Sequence, residues 1–160
     1  MKTLSDAFEH TLKDVYFAEN AVVKALLEAS GAAAHKDLKE ALKHHSVETK
    51  NDVEILRAVF KSIGKKAEGE KCAAIEGLID ECQGVVAEAE GATARDASII
   101  GCCQAIEHYE IARFGTVRAW AKALGHEEAH GLLTGILDDH KGADHRLSSL
   151  AISTINALKK

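Results

Sequence analysis

No proline occurs anywhere in the 160 residues. Proline fixes φ and removes a backbone donor, and folds built from many short strands and tight turns use it often. Without it, the chain offers long stretches that nothing breaks. Ala, Leu, Glu and Lys fill them, all strong helix formers, while aromatic residues are only 4%, too few for a strand-rich core. An all-β sandwich or barrel is therefore disfavoured.

Apolar periodicity places four long helices, at about 5–29, 36–63, 94–124 and 127–158. Gly31, Gly64 and Gly125 follow the first three and read as their stop signals. Residues 64–93 open with a polar run and then carry Ile75, Leu78, Cys82, Val85 and Ala89 at three- and four-residue steps, the pattern of a short amphipathic helix. The expected architecture is all-α: two antiparallel helical hairpins joined by one long crossover that contains the short helix. That is the ferritin-like variant of the four-helix bundle, as a single domain over 1–160. With 46% hydrophobic and 28% charged residues, the chain can bury one real core.

A net charge of −5 argues against a nucleic-acid partner. No apolar run approaches the ~20 residues of a membrane span. The N-terminus is polar and mixed, without the apolar core of a signal peptide. The four cysteines (Cys72, Cys82, Cys102 and Cys103) form no CxxC pair, so reduced thiols and a cytoplasmic location are expected.

The chemistry sits where the core should be dry. Each long helix carries an apolar stripe, and each stripe is interrupted near its middle. Glu19 takes a core slot on the first helix. His45, Glu48/Thr49 and Asp52 take successive slots on the second. Glu107 and Glu110 share the inner face of the third, and His140 and Asp144, four apart, share a face of the fourth. The two turns centre near Ala33 and Gly125. Glu19 lies 14 residues before the first turn and Glu48 15 after it; Glu110 and His140 lie 15 on either side of the second. Antiparallel helices rise ~1.5 Å per residue, so equal counts mean equal heights. The polar groups should meet at mid-bundle. A lone buried carboxylate costs several kcal/mol, whereas Glu19, Glu48, Glu107, Glu110 and Asp144 with an imidazole are stable together around one or two cations. Carboxylate-rich sites with one or two histidines suit iron or manganese. The bland alternative places some of these residues on the surface, paired with lysine or arginine.

Four segments carry a wider resemblance: Asp-Val-Tyr-Phe-Ala-Glu at 14–19, His-x-x-Glu-Thr at 45–49, Ala-Ile-Glu-His-Tyr-Glu-Ile-Ala at 105–112, and Leu-Asp-Asp-His-Lys at 137–141 followed by Asp144. Over nearly its whole length the chain resembles the YciF/YciE family of bacterial ferritin-like proteins associated with stress responses. Membership would imply a ferritin-like bundle, a homodimer and a di-iron-type centre with Glu19, Glu48, Glu107 and Glu110 as ligands. The family usually has glutamate where this chain has His140, and often Gln or His where it has Asp52. A histidine brings no negative charge and cannot bridge two metals as a carboxylate does. The resemblance therefore leaves one, two unequal or no metals open, or passes the missing carboxylate role to Asp144.

His45, one turn from Glu48, is an alternative ligand or a donor orienting Glu48, and Asp52 is a further alternative ligand. Tyr16 and Tyr109 can hydrogen-bond a ligand or relay an electron, although a buried tyrosine more often only packs. Two functions compete. One is a metalloprotein handling iron, dioxygen or peroxide, with two iron ions (or manganese) bridged by Glu48 and Glu110. In it Glu19, Glu107, His140 and Asp144 are terminal ligands, and the activity is of oxidase, peroxidase or ferroxidase type. The other is a non-catalytic dimeric structural or interaction protein with a vestigial, proton-filled centre. A cage for iron storage is a weaker third.

Overall fold

In a computed structural model, which describes residues 1–157, the chain forms α1 (Leu4–Ala32), α2 (Lys36–Ser62), α3 (Ala73–Glu88), α4 (Ala92–Ala123) and α5 (Glu127–Leu150). A short π-helical segment, Ala151–Ile155, continues α5. No strand occurs among the described residues. The expected helix over 127–158 is thus an α-helix to Leu150 that loosens into a wider turn, and its last position, 158, lies outside the described residues.

The helix ends follow local chemistry. Thr3 caps α1: its hydroxyl accepts from the Asp6 amide at 3.1 Å, and the Asp6 carboxylate accepts from the Thr3 amide at 3.1 Å. This reciprocal pair satisfies two amides that the first turn leaves free. Gly64 and Gly125 take φ of 72° and 76°, the left-handed geometry that lets the following amide fold back. Lys65 N–H reaches Phe60 O, and His126 N–H reaches Ala121 O, each at 2.9 Å. Gly31 does not act this way. α1 runs through it to Ala32, and its φ is not positive. The turn after α1 is instead held from outside. The Asp96 carboxylate of α4 accepts from the amides of Ala34 and His35 at 2.7 and 2.8 Å.

That contact also sets the topology. The start of α4 meets the α1–α2 turn at one end of the bundle. At the other end Phe8, near the start of α1, stacks on His126 in the α4–α5 turn at 5.8 Å. Neighbouring helices (α1–α2, α4–α5, α1–α4 and α2–α5) are consequently antiparallel, and the crossover carrying α3 returns along the bundle against α1 and α4. Two helical hairpins joined by a long crossover make a ferritin-like four-helix bundle. α3 is the least embedded helix. Ile75 is buried, while Leu78, Ile79, Cys82 and Val86 pack at its edge. Ile75, Leu78 and Cys82 face inward as the spacing suggests, while in the last turn Val86 packs in place of the exposed Val85 and Ala89 falls past the helix end.

The apolar interior is in two parts. One gathers Val22, Leu26, Leu38, Leu42, Ile99, Ile100 and Leu147. The other gathers Phe8, Leu12, Leu56, Phe60, Phe114, Leu133 and Ile136. Between them lies a polar layer.

Candidate metal centre

Glu19 of α1, His45 and Asp52 of α2, Glu107 and Glu110 of α4, and His140 of α5 are all buried in that layer. Each occupies a slot that the periodicity of its helix reserves for the core. Along α2 the buried positions step 42, 45, 49, 52, 56; along α5 they step 133, 136/137, 140, 143, 147.

His140 is the hub. Its Nε2 lies 2.8 Å from Glu19 Oε1, and its Nδ1 lies 3.0 Å from Glu107 Oε2 and 3.4 Å from Glu110 Oε2. Two ionised carboxylates facing the two ring nitrogens would make both nitrogens donors, the imidazolium form. Burial alone would pull its pKa down, but the charges of Glu110 and Glu19, with hydrogen bonds to Glu107 and Glu19, hold it well above the ordinary value. Phe114 stacks on the ring at 5.1 Å and fixes its plane. Burial pushes Glu110 well above the ordinary carboxylate range, and the Glu19 charge adds to this. Asp52 is pushed up to about 8, first by burial and then by the charge of Glu19. His45 is pushed down by burial against the opposing pull of Glu107. Its Nε2 sits 3.1 Å from Glu107 Oε1.

The layer is nevertheless short of donors. Both oxygens of Glu110, Glu19 Oε2, Glu107 Oε1, Asp52 Oδ1 and His45 Nδ1 are buried without a hydrogen-bond partner. Buried polar atoms are nearly always paired, and six lone-pair carriers in one layer call for a cation. Two triads, His45–Glu107–His140 and Glu19–Glu110–His140, each bring their ligand atoms within 4.8 Å of one another. The donor set therefore fits a metal, and its carboxylate–imidazole composition suits iron or manganese.

The structure does not bring Glu48 or Asp144 into this layer. Glu48 is one step off the α2 core slot, which Thr49 takes, donating its hydroxyl to His45 O at 3.0 Å. The Glu48 carboxylate turns outward to Arg146 of α5 and to His44. On α5 the slot after His140 belongs to Ala143. Asp144 lies at the α4–α5 edge, accepting from Gln104 at 2.9 Å, with His108 at 3.4 Å. Both acids thus find ordinary partners near solvent, as the bland alternative had it for a charge out of phase. Tyr16 and Tyr109 also point elsewhere. Tyr16 OH accepts from Arg57 at 3.1 Å, and Tyr109 OH meets Cys72 Sγ at 3.0 Å under the Arg113 guanidinium. All four cysteines are free, and no described helix is long and apolar enough to cross a membrane.

Fold and site together define a helical-bundle protein with a buried carboxylate–histidine centre. Its residues 3–159 match the DUF892 profile, described as a domain of unknown function, and the chain belongs to that family. It is 38% identical to Protein YciF of Escherichia coli (strain K12) over 157 residues, 98% of this chain and 95% of that protein. The crystal structure of YciF, described as an E. coli stress protein, superposes with a TM-score of 0.94, covering 99% of this chain and all of that one. YcfI of Rhodopseudomonas palustris, a candidate structural protein by its description, is 41% identical with a TM-score of 0.91, covering 92% of this chain and 94% of that one. A Xanthomonas campestris protein at 17% identity shares the fold, with a TM-score of 0.77 over 96% and 95% of the two chains.

Proposed function

We propose that the chain is a metal-binding bundle protein of the stress response whose centre takes iron or manganese. Glu19, Glu110 and His140 hold one ion, and His45 and Glu107 supply a position beside it for a second. The observation that carries this reading is the set of buried carboxylate and imidazole atoms without a hydrogen-bond partner. When bound, such an ion supplies redox chemistry toward dioxygen or peroxide.

The protein's own part is binding and exclusion. Phe114 holds the His140 ring, and the two apolar cores keep bulk water from the layer. His140 must surrender a ring proton to become a ligand, so metal affinity should weaken as pH falls. A cytoplasmic homodimer belongs to the same reading. Elemental analysis of protein from iron- and manganese-supplemented cells tests it. Near-stoichiometric metal is expected in the natural sequence and its loss in Glu110→Gln and Glu107→Gln. A correctly folded natural protein without metal would overturn the reading.

One observation favours a second reading. Both His140 ring nitrogens lie within hydrogen-bond distance of a carboxylate, so a protonated ring closes part of the layer without a metal. A non-catalytic dimeric interaction protein would have that centre. It predicts no stoichiometric metal in the same analysis, and strong self-association by sedimentation.

A further inference from the structure

A cavity of about 220 Å³ opens between α1, α3 and α4. Its wall is almost wholly apolar, made by side chains such as Val22, Leu26, Ile79, Val86, Ile99 and Ile106. Its apolar wall offers water few hydrogen-bond partners and suits small apolar guests, while Glu28 and Gln83, hydrogen-bonded to each other at 2.9 Å, also line it. Its lining includes Glu107, a buried member of the centre, and Cys103 one helical turn before it. Cys103 is itself buried and lines the same wall. The cavity thus places an apolar opening of the α1–α3 surface against Glu107, a buried member of the metal-fitting layer.

We infer that this cavity is a dry port that admits small uncharged molecules of dioxygen's size and polarity to Glu107 while excluding hydrated ions. A hydrated ion entering it would exchange its water for apolar walls at a cost of several kcal/mol, whereas an apolar diatomic loses almost nothing. The inference names a substrate class for the centre and so rests on the metal reading, but the port itself is measurable with no metal bound.

The test is nuclear magnetic relaxation of methyl groups in metal-free protein under dissolved dioxygen, compared with an anionic gadolinium chelate. Ile99 and Ile106 line the port, and Ile136, buried in the other apolar core, is the internal control. Dioxygen should relax Ile99 and Ile106 well beyond Ile136, and the chelate should relax none of them. Two port-filling variants, Ala29→Phe and Val86→Phe, should each lose the excess at Ile106 while keeping the helical circular dichroism. Equal relaxation of Ile106 and Ile136 by dioxygen, or an undiminished excess in both filled variants, overturns the port. Failure of the metal reading appears separately, as absent metal in the elemental analysis.

Discussion

Asp52→Asn should stabilise the metal-free protein, and by an amount that depends on pH. Asp52 is buried, with Oδ1 unpartnered, beside Glu19 and with Asp139 and Glu48 adding further negative charge. Its carboxyl moves from an ordinary 3.8 to about 8. Between those values the folded chain holds a proton that the unfolded chain has released, so stability falls as pH rises across that window and this group adds no further slope above it. At pH 7 the gap is roughly three units, and at about 1.4 kcal/mol per unit the ceiling is about 4 kcal/mol. Relaxation and water access at the helix edge reduce this, so a gain of about 2 kcal/mol is the working figure for the asparagine variant. Urea unfolding of metal-free protein at half-unit steps from pH 5 to 8 measures it. The variant's lead over the natural protein, already begun at pH 5, should widen steadily up to about pH 8. Glu110, raised for the same cause, leaves a residual downward slope in both proteins. Parallel curves across the whole range would mean that Asp52 ionises normally, and the picture of a donor-poor buried layer would be wrong.

Glu48→Gln should leave metal content unchanged and cost under ~1 kcal/mol, because its partner Arg146 is half exposed; elemental analysis and urea midpoints check both. Phe114→Ala removes a fully buried ring that also stacks on His140. It should cost ~3–5 kcal/mol in denaturant unfolding. Asp96→Ala strips two backbone amides of their acceptor and should cost ~2–3 kcal/mol, with amide exchange accelerated first at Ala34 and His35.

The bundle was legible because helical periodicity and turn spacing are properties of the chain alone. Counting residues from each turn put Glu19, Glu48, Glu110 and His140 at one level; the structure brings Glu19, Glu110 and His140 together, with Glu107, His45 and Asp52 beside them, while Glu48 turns outward. Glu48 and Asp144 were not resolvable by the same means. Adjacent helix positions differ by ~100°, so 48 and 49, or 143 and 144, compete for one slot. What decides between them lies elsewhere in the chain: Arg146 for Glu48, and Gln104 for Asp144. Gly31 misled for a similar reason. Asp96, far along the sequence, satisfies the turn amides, so no left-handed residue is needed there.

His140 is the residue on which the character of the centre turns. With an imidazolium among Glu19, Glu107 and Glu110, the layer carries its own counter-charge and can fold before any metal arrives. His140→Glu would remove that cation and add a fourth carboxylate. Breaking a buried charge pair in this way costs ~3–5 kcal/mol, so the metal-free variant should melt well below the natural protein. The added carboxylate supplies two oxygens to an ion, so manganese should restore the variant's melting temperature by more than it raises that of the natural protein, since ligand binding stabilises only the folded state. Thermal melts with and without manganese measure both shifts. Equal manganese shifts in the two proteins would mean that position 140 does not face the bound ion, and that the layer's charge is balanced by some other group.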